Sequence, residues 1–169
     1  VSSIINVQKS ALIVDHVTYN TTNETFDTDI FTAEYTRGNF AKAYRAKHAI
    51  QDYVFTDGTA EKSVERKFVE ELDTADEVVV YAKLPRGFHI PTPVGKYSPD
   101  WAIAFKKGVV KHVFFVAETK GTLQSMELRA IEKAKINCAE KLFEKLSNVE
   151  VHYGQVKDYK SLMDIVLDR

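Results

Sequence analysis

Residues 97–121 read YSPDWAIAFKKGVVKHVFFVAETKG. Two apolar runs, 101–105 and 113–117, flank a turn at Lys106-Lys107-Gly108, the pattern of strand, turn, strand. Asp100 stands at the start of the first run, and Glu118 and Lys120 stand at the end of the second. The start of one antiparallel strand lies beside the end of the next, so the spacing predicts that Asp100 and Glu118 are neighbours. Side chains alternate faces along a strand, so Glu118 and Lys120 share a face and Thr119 points away. Two carboxylates and an amine are then expected on one spot.

Such a spot suits a divalent metal. Mg²⁺ takes oxygen ligands, commonly one or two carboxylates, and keeps its other positions for water and phosphate. A bound ion lowers the pKa of water and neutralises charge developing on a phosphate in transfer. A lysine beside it can position or deprotonate the attacking water, or stabilise the pentavalent phosphorane. The arrangement resembles the PD-(D/E)xK nuclease motif, with Pro99-Asp100 followed by Glu118-Thr119-Lys120. The triplet alone discriminates little. Glu65-Arg66-Lys67 and Asp158-Tyr159-Lys160 have the same form, the first inside a helical pattern and the second opening the last one. Edge charges that keep a hairpin soluble are the plain alternative for all three residues.

The chain has 169 residues, 44% hydrophobic and 28% charged, which suits one globular domain with a core of its own. No run approaches the roughly 20 apolar residues of a membrane span. The opening VSSIINVQKS has no basic region followed by an apolar core, so it is no signal peptide, and it lacks an initiator Met, as a processed chain or excised fragment would. The single cysteine, Cys138, excludes an intrachain disulfide framework and a cysteine-based zinc site. It fits a reducing cytoplasm and the role of a small buried hydrophobe. The net charge of −1 counts against a nucleic-acid binder that works unaided.

Along the chain, residues 10–19 and 30–35 read as strands, with a polar turn at 20–23. Residues 40–55 are ambiguous: Ala41, Ala43, Ala46 and Ala49 favour helix, while Tyr53-Val54-Phe55 favour strand. This first part, 1–56, reads as a β-rich elaboration placed before a catalytic core at 57–169. Asp57-Gly58-Thr59 offers an N-cap. A helix is expected to follow to residue 72, with Val64, Phe68, Val69 and Leu72 on its apolar stripe and Glu65 on or beside it. Glu65 is therefore either a first-turn glutamate favourable to the helix dipole or a third acidic site residue. EVVVYAK at 77–83 reads as a buried strand. The loop after it carries Pro85, Pro91 and Pro93, with Lys83, Arg86, His89 and Lys96 giving it a basic character. It is a connector or a substrate contact. A long helix is expected over 125–146. Its stripe Leu128, Ile131, Lys135, Cys138, Leu142 contains a lysine, which either snorkels outward or contacts phosphate. A short strand at 150–153 and a closing helix at 159–167 complete the chain.

The order helix, strand, Pro-Asp strand, Glu-x-Lys strand, helix, strand is the common core of PD-(D/E)xK nucleases. The segments VYAKLPRGFHIPTPVGKYSPDWAIAF, FFVAETKG and ELRAIEKAKINCAEKLF are similar to the C-terminal endonuclease domain of the Res subunit of type III restriction enzymes, over roughly residues 63–153. The resemblance implies an α/β (α+β) fold, a restriction-endonuclease-like core with a central mixed sheet flanked by helices. It implies Mg²⁺-dependent cleavage of double-stranded DNA, with Mn²⁺ as a substitute, by a type III site-specific deoxyribonuclease. It further implies a helicase-like, ATP-driven motor in the same full-length subunit, a methyltransferase (Mod) subunit as partner, and a prokaryotic cytoplasm. Carried over by position, Asp100 and Glu118 would bind metal, Lys120 would be the catalytic lysine, and Glu65 would match the acid of the preceding helix. Arg86, Lys96 and Lys135 are the expected DNA or phosphate contacts. No Gly-x-x-x-x-Gly-Lys-Ser/Thr loop occurs, so ATP would act only through a motor absent from this chain. A repair or junction nuclease on the same core, and a docking module without chemistry, are the competing readings.

Overall fold

The computed structural model describes residues 14, 16–20, 27, 29, 40–58, 63–85, 87–106, 113–117, 126–146 and 151–167, with the side chains of 41, 113–117, 126–129, 146 and 151 left aside. A short hairpin comes first, β1 (Ala43–Arg45) and β2 (Tyr53–Phe55), paired antiparallel. Then follow α1 (Val64–Thr74), β3 (Val78–Lys83), β4 (Trp101–Phe105), β5 (Val113–Ala117), α2 (Met126–Leu146), β6 (Val151–Gln155) and α3 (Tyr159–Leu167). Strands β3 to β6 form one sheet in sequence order. The first two pairings are antiparallel and β5 pairs with β6 in parallel, which the long crossover through α2 makes possible. The result is a small mixed α/β unit with a mixed sheet.

The sheet is covered on both faces. Along β4, Trp101, Ile103 and Phe105 are buried on one side, where they meet Tyr81, Phe68, Val69 and Leu72 of α1 and Leu162 and Val166 of α3. Phe68 and Tyr81 both lie against the Trp101 indole, the first edge to face at 5.9 Å. Each fully buried side chain of this size contributes about 1.5–3 kcal/mol relative to exposure. On the other face, Tyr153 of β6 packs with Ile90, Tyr97, Ala139 and Phe143, so α2 lies there. The ladders agree: Ala102 is joined through position 115 to Tyr153, so Ala102 and Tyr153 share the α2 face. Gly154, one step on, faces Ile165 of α3.

Several elements differ from expectation. Helix α1 is capped by Ser63, whose Oγ accepts the Arg66 N–H at 3.1 Å, and not by the 57–59 turn. The Asp57 N–H is instead donated to Glu65 Oε2. Val64 is half exposed, so the buried stripe of α1 begins at Phe68. The alanine-rich 40–55 stretch forms a 3-10 turn (Phe40–Lys42) and the β1–β2 hairpin. Tertiary contacts override helix propensity there. Ala46 and Ala49 pack on the core, and the buried Asp73 carboxylate accepts the N–H groups of Lys47 and His48 at 2.8 Å. The same segment covers the outer edge of β3, where Ile50 N–H bonds Tyr81 C=O and Tyr81 N–H bonds His48 C=O.

The strand expected over 10–19 is not formed where the residues are described. Val14 is helical and 17–20 belong to no strand. Their apolar groups pack on α2: Val14 meets Ala134 and Cys138, and Lys141 Nζ donates to Val14 C=O at 2.7 Å. The expected strand at 30–35 and most of the 20–23 turn lie outside the described residues. The fully buried residues of α2 are Ala134, Cys138, Ala139 and Phe143, and Lys135 lies between them on the helix surface, within the stripe as expected and with its side chain 19% exposed. No described helix is long and apolar enough to cross a membrane.

Candidate active site

Asp100 is fixed through its backbone and both neighbours. Its C=O accepts the Leu84 N–H at 2.8 Å, Pro99 before it is fully buried, and Trp101 after it is completely enclosed. Trp101 pairs with Lys83 on β3 and with Val116 on β5, so Asp100 stands at the sheet end where β3 finishes, β4 begins and β5 finishes. The half-buried Asp100 carboxylate acts electrostatically on Tyr97 and Tyr153. Both phenols are held well above the ordinary tyrosine range. Burial is the main cause for each; for Tyr97 the neighbouring Tyr153 hydroxyl adds to it, then Asp100 and Glu132. Their hydroxyls are 2.6 Å apart, and Phe143 of α2 stacks on Tyr153 at 5.4 Å. Asp100 thus belongs to the α2 face, against an aromatic wall.

The loop before Asp100 is built to bring its basic residues to that face. Ile90 and Tyr97 exchange two backbone hydrogen bonds, 2.7 and 3.0 Å, closing the segment between them. Within it, the Thr92 hydroxyl bonds Gly95 C=O, and Gly95 adopts φ 113°, a conformation only glycine takes without strain. A Cβ on Gly95 would lie 3.8 Å from Lys135 Cε, so Lys135 rests beside the turn that carries the exposed Lys96. Lys135 also pairs with Glu132 at 3.1 Å. Two of the three expected phosphate contacts, Lys96 and Lys135, therefore share one corner. The third, Arg86, lies outside the described residues.

Glu65 comes to the same sheet end but to the opposite face. Its Oε1 is 2.7 Å from Lys83 Nζ, and its Oε2 accepts the Asp57 N–H at 2.7 Å. Lys83 Nζ also donates to Phe55 C=O at 2.7 Å and lies 5.7 Å over the Trp101 ring. The sequence places Lys83 at the end of the 77–83 strand and counts it toward the basic character of the loop that follows, with no partner on the α1 side. The signal was its alternation with Tyr81, which turns it toward the α1 layer.

Glu118 and Lys120 lie outside the described residues; the strand that leads to them ends at Ala117, one step past the Trp101–Val116 pair. The two look-alike triplets have structural roles. Glu65-Arg66-Lys67 is in α1, where Arg66 pairs with Glu70 and covers the Tyr44 ring. Asp158 precedes α3 and accepts the Ser161 N–H at 2.8 Å, a capping bond. Among the described residues no group of three or more His, Cys, Asp or Glu is gathered around a common point. Mg²⁺ is a hard cation satisfied by one or two carboxylates; Asp100 is one carboxylate at this sheet end, and Glu118 follows Ala117 directly in the chain.

Comparisons with known proteins agree on the class. The profile of a family described as "Endonuclease domain" matches residues 47–159. The Res subunit of the type III restriction-modification enzyme EcoP15I, from Escherichia coli, is 32% identical over 111 residues, 64% of this chain. The EcoPI Res subunit of Escherichia phage P1 matches to the same extent. The chain spans 11% of the length of each of these relatives. No solved structure matches. By the family match over two-thirds of its length and by these relatives, the chain belongs to the endonuclease-domain family and is a homologue of type III restriction Res subunits.

Proposed function

We propose that the chain is the Mg²⁺-dependent nuclease module of a type III restriction Res subunit, a PD-(D/E)xK domain that hydrolyses phosphodiester bonds of double-stranded DNA. The observation that carries this reading is the position of Asp100 at the start of β4, beside the end of the strand that runs directly into Glu118-Thr119-Lys120. Asp100 and Glu118 would hold the ion, which supplies an activated water and neutralises charge on the phosphate when bound. Lys120 would orient that water or stabilise the phosphorane. Lys96 and Lys135 would bind flanking phosphates from the α2 side, and Arg86 would join them. Residues 57–169 form the catalytic core in this reading, and 1–56 an elaboration of the same single domain whose hairpin closes the β3 edge.

The remaining expectations rest on the resemblance to type III Res subunits. A helicase-like motor in the same subunit would use ATP and deliver DNA, a Mod subunit would recognise the sequence, and the assembly would work in a prokaryotic cytoplasm with Mn²⁺ able to replace Mg²⁺. The test is slow nicking of supercoiled DNA in Mn²⁺ by the chain and by Lys120→Ala. Loss of nicking with unmoved thermal unfolding supports the reading; equal nicking by Lys120→Ala contradicts it.

A further inference from the structure

We infer that Lys83 is a positioning residue for Asp100, and that Glu65 serves as the carboxylate that holds Lys83 and not as a third metal ligand. The inference rests on the proposed metal site at Asp100 and Glu118. Lys83 is the last residue of β3, and three bonds converge on it, with a fourth made by the residue that follows. Its ammonium joins Glu65 of α1 and the Phe55 C=O of β2, each at 2.7 Å. Its own C=O accepts Gln51 Nε2 at 3.0 Å. The next residue, Leu84, donates its N–H to Asp100 C=O. Its stem and charge cover Trp101, its ladder partner and the neighbour of Asp100.

Glu65 is mostly buried, with a side chain 13% exposed, and both of its oxygens are engaged by donors. A carboxylate and a carbonyl facing one point make a cation cage, and here the ammonium of Lys83 fills it. A dication on Glu65 would be repelled by that ammonium. Asp100 meanwhile lies toward Tyr97 and Tyr153, whereas the Glu65 carboxylate is taken up by Lys83 and Asp57 beside Trp101. What Glu65 gives the site is the fixed end of β3, from which Asp100 is hung.

The two roles predict different signs. If Glu65 bound the metal, Lys83 would compete with it, so Glu65→Gln would weaken metal affinity and Lys83→Met would strengthen it. If the pair positions Asp100, either substitution weakens affinity, by about tenfold as is typical for groups that orient a metal ligand. The double variant is then no weaker than either single one. The experiment is Mn²⁺ titration calorimetry on the 169-residue chain and the three variants, with thermal unfolding of each to confirm a folded state. Equal weakening without additivity is the expected result. Opposite signs, or affinities unmoved in all three folded variants, overturn the inference and leave the proposed function standing. Absence of Mn²⁺ binding by the parent chain overturns the proposed function, and the inference with it.

Discussion

The hydroxyls of Tyr97 and Tyr153 are 2.6 Å apart in a buried setting, and they tie the loop before Asp100 to β6 across the α2 face. Removing one partner leaves the other hydroxyl buried without its mate, whereas removing both leaves two apolar rings in contact. Tyr97→Phe should therefore cost about 1–3 kcal/mol in urea unfolding, and Tyr97→Phe with Tyr153→Phe no more than the single change. Additive losses would show that the two hydroxyls do not depend on each other.

Asp73 gives the pH prediction. Its carboxylate is buried, which pushes its pKa up, but N–H donors from His48 and Lys47 and hydroxyls from Tyr44 and Tyr81 outweigh this and hold it below its ordinary value. A carboxyl depressed on folding contributes stability that is complete above its unfolded pKa, near 3.9, and is lost as pH falls through the folded value. Asp73→Ala strands these donors and should cost on the order of 3 kcal/mol at pH 7. It should also flatten the fall in stability below about pH 4. An acid limb of unchanged slope would contradict this assignment.

DNA binding by the chain alone should be weak and indifferent to sequence. Its net charge is −1, so the counterion release available from phosphate neutralisation is small. Among the described residues, Lys96 and Lys135 form a local basic corner. Fluorescence anisotropy on random and defined duplexes across a salt series checks this, and tight sequence-selective binding at physiological salt would contradict it.

The strands that form the site were legible because their signals are local. Runs at 101–105 and 113–117 are apolar, bounded by breakers and ended by charges, and they match β4 and β5 residue for residue. Helix α3 likewise begins where Asp158 offers a cap and occupies the expected 159–167. The strand tendency of 53–55 was legible and is β2, but its partner at 43–45 was not, because the hairpin depends on Asp73, distant in sequence, which gathers the Lys47 and His48 amides. The α2 stripe with Lys135 inside it was legible from its 3-4 spacing, whereas the small Ala134 and Ala139 that complete the buried face carry little hydrophobic signal. Glu65 was recognised as a buried-side acid, but its partner was not, since the Glu65–Lys83 pair joins a helix to a strand end and no spacing rule connects them.

The most direct test of the central claim is divalent-metal binding by the parent chain, Asp100→Ala and Glu118→Ala, followed by calorimetry with Mg²⁺ and Mn²⁺. Two nearby carboxylates repel each other without a cation, so each substitution should abolish binding while leaving the metal-free fold as stable as before or more so. Unchanged titrations in both variants would contradict the account, since Asp100 and Glu118 would then not be the ligands of a nuclease metal.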